Sequence, residues 1–150
     1  MKLARFEEPE AWQEARVLVS QVYAMIRETA NLRRDYRFRD QLTAAAVSVM
    51  SNIAEGFSRR SDREFTQFLF IAKGSCAEVQ SLLYVALDQQ YTTEADFQRL
   101  YAQAEKVARL TSDLITYLLR TTQRPNNSQP NEPLEPGTST QGTQRTQRTP

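Results

Sequence analysis

The chain has 150 residues with 40% hydrophobic and 25% charged side chains, which suffices for one ordinary core. It contains no histidine, so the commonest general base and the commonest transition-metal ligand are both missing and zinc chemistry is excluded. The formal net charge of +1 comes entirely from the residues after Thr121, and the neutral remainder is unsuited to indiscriminate binding of polyanions.

The N-terminal residues are charged where a secretion signal needs an apolar run, and no later stretch combines freedom from charge with membrane-spanning length. We therefore expect a soluble, cytoplasmic protein with no membrane partner. Helix one is predicted to begin at Pro9, because proline suits an opening helical turn. Its apolar residues recur at three- and four-residue spacing from Trp12 to Ile26, and the pattern fades over 31–34.

Helix two is predicted over about residues 36–55, from an apolar stripe that includes Leu42, Val49 and Ile53. The stripe ends at Gly56, and glycine can take the left-handed conformation that closes many helices. The sequence therefore predicts a left-handed Gly56 at the end of this helix.

Helix three is predicted to begin at a capping box formed by Ser61 and Glu64, each of which would satisfy a free backbone amide. Its apolar pattern continues to about Gln89. Helix four follows a break in the pattern, with Thr93 as cap and Asp96 three residues later.

Short connections between long helices place sequential neighbours antiparallel. We therefore predict an all-α fold, an up-down-up-down antiparallel four-helix bundle over residues 1–121. Residues 122–150 are rich in Pro, Gln, Thr, Ser, Asn and Gly, with Leu134 as their only large aliphatic side chain. Such a segment cannot offset its ordering entropy, so a disordered low-complexity tail is predicted there.

Helix three carries more apolar side chains than one core can cover, which indicates burial on a second face. The residues assigned to this second face are Phe70, Ile71, Leu82, Tyr84 and Val85. Gly74-Ser75 is interpreted as a notch that lets another helix approach, and Glu78 as a residue pairing across the contact. We predict a homo-oligomer; the alternative is that several of these residues are single exposed apolar side chains or are covered by loops.

The residue types offer little support for catalysis or for a cofactor. Cys76 is interpreted as a buried, inert thiol. Glu55 and Glu78 interrupt apolar stretches, but no spacing makes them specific, so structural roles are favoured over acid and base chemistry. Gly56 and Gly74 lie too far apart in the chain to form a phosphate-binding loop. We predict no enzyme, no metal and no cofactor.

Two groups of arginines are candidates for nucleic-acid binding, since guanidinium groups hold phosphates and aromatic rings stack on bases. The first group is Arg33, Arg34, Tyr36, Arg37 and Arg39, and the second is Arg59, Arg60 and Arg63. The groups lie at opposite ends of helix two, about 30 Å apart. The alternative is that interleaved carboxylates neutralise them and that both are merely solvated loops.

Several short segments together resemble a bacterial protein family encoded in intervening sequences of large-subunit ribosomal RNA genes. The matching positions are Asn52-Ile53-Ala54-Glu55-Gly56, Ser61, Phe65, Leu69, Ala72-Lys73-Gly74-Ser75 and Glu78. The resemblance covers about residues 5–120, and Asn52, Glu55 and Gly56 form its signature. It implies a helical bundle that assembles as a pentamer, and the family is similar to the accessory variability protein of diversity-generating retroelements, which binds nucleic acid and a reverse transcriptase.

Two functions follow as hypotheses. The first is an oligomeric adaptor for structured RNA or DNA. Its partners would include ribosomal RNA or a reverse transcriptase. In the oligomer, the repeated arginine groups would supply a positively charged face that one neutral subunit lacks. The second is a scaffold that binds only proteins and in which the arginines aid solubility.

Overall fold

The structure is a computed structural model and describes residues 3–122. This range contains five helices and no strand: α1 (Glu10–Glu28), α2 (Ala30–Arg34), α3 (Tyr36–Phe57), α4 (Asp62–Asp88) and α5 (Glu94–Thr122). The all-α prediction is confirmed. The short helix α2 was missed, because a single turn carries too few residues to display a period. The predicted tail lies outside the described residues.

The four long helices pack as a bundle in which α1 contacts α3 and α5, and α4 contacts the same two helices from the other side. The core divides into two clusters along the bundle axis. The Leu83 cluster contains Leu18, Leu42, Leu83 and Leu100, and the Leu69 cluster contains Trp12, Ile53, Leu69 and Ile115. Each cluster joins the late half of one helix to the early half of the next, so consecutive long helices run in opposite directions.

Helices α3 and α4 lie close together at Gly56, which is buried in the last turn of α3. A Cβ atom added there would lie 2.7 Å from Phe68 Cβ and 2.9 Å from Phe65 Cδ2. Among residues 3–122 no glycine has a positive φ, and α3 continues through Phe57. The prediction of a left-handed Gly56 is therefore wrong: glycine is required here for space between two helices, not for backbone conformation.

The predicted helix starts are confirmed with one change of detail. The Ser61 Oγ accepts from the backbone N–H of Glu64 at 3.2 Å, and the Thr93 Oγ1 accepts from the backbone N–H of Asp96 at 3.2 Å. The Glu64 carboxylate accepts from the Ser61 hydroxyl at 3.1 Å, whereas the capping box had it accepting a backbone amide.

At the C-terminal end of α4, two nested backbone hydrogen bonds enclose Gln90. The Gln90 N–H donates to the Leu87 carbonyl at 3.0 Å, and the Tyr91 N–H donates to the Ala86 carbonyl at 2.8 Å. These bonds require a left-handed residue between them, and Gln90 has φ of 61°. Glycine ordinarily occupies this place, so Gln90 is the strained residue that the sequence pattern did not reveal.

Tyr91 fastens the α4–α5 connection to the α2–α3 junction. Its hydroxyl donates to Asp35 Oδ2 at 2.8 Å, while its carbonyl accepts from Thr29 Oγ1 at 3.1 Å. Asp35 also caps α3 by accepting from the Phe38 N–H at 3.2 Å. The hydrogen bond to Asp35 raises the pKa of the Tyr91 phenol, because it favours the protonated form.

Helix α4 is long and apolar enough, by length and composition alone, to cross a membrane. The expectation concerned a stretch free of charge, and α4 carries Lys73 and Glu78 in its middle, so this finding does not contradict it. In the bundle α4 packs between α3 and α5 and buries residues such as Leu69, Val79 and Leu83. Core helices commonly share this composition, and packing accounts for the apolar residues on this side of α4.

We expect Gly56→Ala to lower the free energy of unfolding by about 1–3 kcal/mol, since the added methyl group forces α3 and α4 apart. Gly74→Ala is the matched control, because a Cβ at Gly74 meets no atom within 4 Å. There alanine should raise the stability by about 0.5–1 kcal/mol through helix propensity. Urea unfolding followed by circular dichroism measures both; equal effects of the two substitutions would contradict the close approach.

We expect Gln90→Gly to stabilise the protein by about 1 kcal/mol, because glycine adopts the left-handed conformation without the Cβ clash that glutamine suffers. Gln89→Gly is the control, since Gln89 has φ of −83° and gains nothing from glycine. Thermal unfolding compares the variants. A Gln90→Gly protein no more stable than Gln89→Gly would argue against strain at this turn.

Candidate nucleic-acid interface and assembly surface

The first arginine group wraps around the α2–α3 junction, where two of its members are held by backbone carbonyls. The Arg33 guanidinium donates to the carbonyl of Arg27, and Arg39 donates to the carbonyl of Arg33 at 3.2 Å. Arg39 also pairs with Asp40 at 3.2 Å, and its guanidinium carbon lies 4.9 Å from the centre of the Tyr36 ring. The structure therefore brings Arg33, Tyr36 and Arg39 together as one surface.

The other arginines of this group, and the Tyr36 ring, are exposed to solvent. Arg34 and Arg37 are exposed, and neither makes a salt bridge or side-chain hydrogen bond to any residue of the described range 3–122. Tyr36 is 65% exposed, the largest value among the exposed large apolar and aromatic side chains. We call Arg33, Arg34, Tyr36, Arg37 and Arg39 the junction surface.

The carboxylates interleaved with the arginines are mostly engaged elsewhere. Asp35 caps α3 and accepts from Tyr91. Asp62 accepts from the Thr121 hydroxyl at 3.4 Å, and Glu64 accepts from Ser61. Of the four interleaved acids, Asp40 alone pairs with an arginine of its group within the described residues. Asp35, Asp62 and Glu64 thus form no ion pair with these arginines, although their negative charges remain beside them.

The second arginine group is differently built. Arg59 pairs with Glu55 at 2.7 Å, and its guanidinium carbon lies 4.7 Å from the centre of the Phe68 ring. Arg60 and Arg63 are exposed and have no ion-pair partner in the portion of the chain that the structure covers. Arg59 and Arg60 follow the C-terminal end of α3, whereas the junction surface lies at its N-terminal end, and the 22 residues of this helix have a length of about 33 Å.

Beside this second group lies a cleft that sequence reasoning missed. It has a volume of about 440 Å³ and opens between the α3–α4 connection, the end of α5 and Leu3. Its apolar wall is formed by Leu3, Phe57, Phe65, Leu114, Tyr117 and Leu118, and its polar rim by Arg59, Arg60, Ser61, Asp62 and Thr121. Its residues come from three distant parts of the chain, so no local motif could have indicated it.

The outer face of α4 carries the apolar side chains assigned to self-association. Phe70 is 54% exposed, Ile71 52% and Tyr84 52%, and Val85 is also exposed. Gly74 and Glu78 lie on the same face and are exposed. We call this set the α4 stripe. Tyr84 additionally packs on Phe97 of α5, with ring centres 4.9 Å apart.

Two residues assigned to the interface do not reach it. Leu82 and Ser75 are each only 8% exposed, because they lie at the edge of α4 that packs within the bundle. The Ser75 hydroxyl is 3.0 Å from that of Ser48 on α3. Their assignment to a second face of α4 is therefore wrong. Gly74 contacts no helix within the described chain, so the notch predicted there is not filled by α1, α3 or α5.

The signature residues serve the packing of α3 on α4. Asn52 donates to the hydroxyl of Ser48 at 2.9 Å, and Ser48 in turn contacts Ser75. Glu55 forms an ion pair with Arg59. The missing side chain at Gly56 leaves room for Phe65 and Phe68 of α4. Ser48, the residue that links Asn52 to Ser75, was missed by sequence reasoning.

Cys76 is buried inside the bundle, away from these surfaces. Burial raises the pKa of the Cys76 thiol to about 12, which keeps it protonated. Across residues 3–122 no group of three or more His, Cys, Asp and Glu side chains is placed to hold a metal ion.

A second polar contact joins α1 to α5. Glu14 accepts from Gln103 at 2.7 Å and from Lys106 at 3.0 Å. These two hydrogen bonds lower the pKa of the Glu14 carboxyl, because they favour its charged form. This contact links α1 to α5. It lies outside the junction surface, the cleft and the α4 stripe.

Comparison with known proteins agrees with this architecture. A solved structure of a protein of unknown function from the S23 ribosomal protein family of Bacteroides thetaiotaomicron is similar, with a TM-score of 0.65 and 16% identity. The similarity covers 70% of this chain and 97% of that one, and it concerns the fold alone. No curated protein matches the chain.

The family comparison is decisive for membership. The model of the family described as 23S rRNA-intervening sequence protein matches residues 7–113, which contain α1 to α4, most of α5, the junction surface and every signature residue. Taken with the helical packing and the close α3–α4 approach described above, this match establishes that the chain belongs to the 23S rRNA-intervening sequence protein family.

Proposed function

We propose that the protein is a non-catalytic, oligomeric adaptor that binds structured RNA or DNA through the junction surface. The observation that carries the proposal is the exposure of Arg34 and Arg37, unpaired among the described residues, beside a stacked Arg39–Tyr36 pair. Two unpaired guanidinium groups can each displace counterions from a phosphate, and an exposed ring offers a face to an unstacked base.

The geometry of Arg33 and Arg39 supports the same proposal. Both guanidinium groups donate to backbone carbonyls, which fixes their positions before any ligand arrives. Positioned donors lose less side-chain entropy on binding than mobile ones. In the junction surface, Arg33 and Arg39 are thus oriented by hydrogen bonds, whereas Arg34 and Arg37 have no partner among the described residues.

Assembly would compensate for the low net charge of a single subunit. The chain carries a formal net charge of only +1, so one subunit attracts a polyanion weakly. Several copies joined through the α4 stripe would repeat the junction surface and raise the effective affinity without new contacts. The subunit number expected from the family resemblance is five.

The competing function is a scaffold that binds proteins alone. The α4 stripe favours it, because exposed apolar side chains of this extent mark association surfaces whatever the partner. Neither the family description nor that of the similar structure names a catalytic activity, so an enzyme is not among the proposals.

We expect Arg34→Gln with Arg37→Gln to weaken binding of labelled structured RNA or duplex DNA at least about tenfold at low salt. The slope of log K against log salt should shrink by about 0.7–0.9 for each lost phosphate contact. Arg109→Gln with Arg120→Gln is the matched control, since both residues are exposed on α5 and the charge change is equal. Fluorescence anisotropy measures the affinities. An equal loss in both double variants would reject the junction surface as the site, and no binding by the unaltered protein would favour the scaffold.

We expect Phe70→Ser with Ile71→Ser to reduce the assembly to single subunits, because the exposed apolar area of the α4 stripe is removed. Val17→Ser with Tyr23→Ser on α1 is the control, with similarly exposed side chains at 42% and 43%. Light scattering gives the mass and circular dichroism the helicity. An unchanged mass for the α4 variant would place the contact elsewhere.

A further inference from the structure

Tyr36 lies in the middle of the junction surface and presents an aromatic ring to solvent. The residue is 65% exposed. One face of its ring is covered by the Arg39 guanidinium, whose carbon lies 4.9 Å from the ring centre. Within residues 3–122 no other aromatic ring or guanidinium group stacks on Tyr36, which leaves the opposite face open to a ligand.

The backbone below this ring and the cation behind it are both fixed by hydrogen bonds. Tyr36 is the first residue of α3 and directly follows Asp35, which accepts from the Tyr91 hydroxyl at 2.8 Å. Arg39 donates to the carbonyl of Arg33 at 3.2 Å. A ring that is supported in this way loses little conformational entropy when a ligand stacks on it.

Phe38, the other aromatic side chain of this segment, is not available to a ligand. It is partly buried at the edge of the Leu83 cluster. Its ring packs on that of Tyr91, with the two ring centres 5.8 Å apart. Within the segment 33–40, Tyr36 is therefore the residue on which a ligand can stack.

The charge around the ring is positive. The segment 33–40 carries four arginines against Asp35 and Asp40, so its net charge is positive although both carboxylates remain. Arg34 and Arg37 are exposed and have no ion-pair or side-chain hydrogen-bond partner in the described part of the chain. A matching ligand offers a flat aromatic group flanked by negative charges, and a nucleotide between two phosphates has this chemistry.

A base inside a double helix does not fit this site. Its two faces are covered by the neighbouring base pairs, and only its edges reach the grooves. An unpaired base in a bulge, a loop or a single strand exposes its face and can stack on an aromatic side chain. The open ring of Tyr36 therefore favours unpaired nucleotides over uninterrupted duplex.

We propose that the junction surface recognises an unpaired nucleotide, whose base stacks on the open face of Tyr36 while Arg34 and Arg37 hold the flanking phosphates. Recognition of this kind rests on the function proposed above, since it specifies which part of a structured RNA or DNA the junction surface binds. Uninterrupted duplex binds more weakly, because it is held through phosphate contacts alone.

Three labelled probes test this specificity: a duplex with a central bulge of unpaired adenosines, the same duplex fully paired, and the bulged duplex with abasic nucleotides in the bulge. Each probe is made as RNA and as DNA, and a preference found in only one of them identifies that polymer as the ligand. We expect the unaltered full chain to bind the bulged probe about tenfold more tightly than the other two in fluorescence anisotropy. Equal affinity for the bulged and the fully paired probes, or for the bulged and the abasic probes, would overturn the proposal.

Tyr36→Leu tests the ring itself. Its affinity for the bulged probe should fall about tenfold, to the affinity for the fully paired probe, which should stay unchanged. Tyr36→Phe should retain the preference, because stacking does not require the hydroxyl. Tyr23→Leu is the matched control, since this tyrosine of α1 is also exposed, at 43%. A preference that survives in Tyr36→Leu, or that Tyr23→Leu also loses, would reject Tyr36 as the stacking site.

The failure of this specificity and the failure of nucleic-acid binding give different results. Arg34→Gln with Arg37→Gln should weaken the binding of all three probes, whereas Tyr36→Leu should weaken the binding of the bulged probe alone. Binding without any preference for the bulge would overturn the stacking site and leave the proposed function standing. Binding of none of the probes by the unaltered chain would reject both. Circular dichroism verifies the helicity of each variant, which the exposure of all three positions should preserve.

Discussion

The structure depends on the missing side chain at Gly56. Because no Cβ stands there, the last turn of α3 can lie against Phe65 and Phe68 of α4 at a separation that any other residue would increase. Beside this contact Arg59 lies over the Phe68 ring, and Phe57 and Phe65 form part of the wall of the cleft. A wider separation of α3 and α4 would therefore disturb the cleft as well as the core.

Different kinds of interaction hold the helix connections at the two ends of the bundle. At the Gly56 end, aromatic packing holds the α3–α4 connection. At the opposite end, hydrogen bonds from Tyr91 to Asp35 and from Thr29 to Tyr91 tie two connections together. Since Asp35 accepts hydrogen bonds from Tyr91 and from the Phe38 N–H, it forms no ion pair with the arginines beside it, although its charge remains. The hydrogen bonds that fasten this end thus also decide where the Asp35 carboxylate points.

The period of apolar residues was enough to predict the long helices, their caps at Ser61 and Thr93, and the all-α class, because these features depend on neighbours in the sequence. Helix α2 was missed since one turn has no period, and the conformation of Gly56 was mistaken since the sequence does not reveal what lies 2.7 Å away in another helix. Leu82 was placed on the wrong face because ideal 100° steps do not reveal how wide the buried sector is. Ser75 was assigned to a contact between subunits because the sequence does not reveal that its hydroxyl faces Ser48 of α3. The cleft was beyond prediction, as its walls come from three separate segments.

The division of the core into a Leu83 cluster and a Leu69 cluster leaves the alignment of the helices to polar contacts. Ser48 contacts Ser75 between α3 and α4, and Glu14 contacts Gln103 and Lys106 between α1 and α5. Such contacts fix the register of the helices, because sliding by one turn would leave them unpaired. The apolar clusters decide which side of each helix is buried, whereas these polar pairs decide which turn of one helix faces which turn of its neighbour.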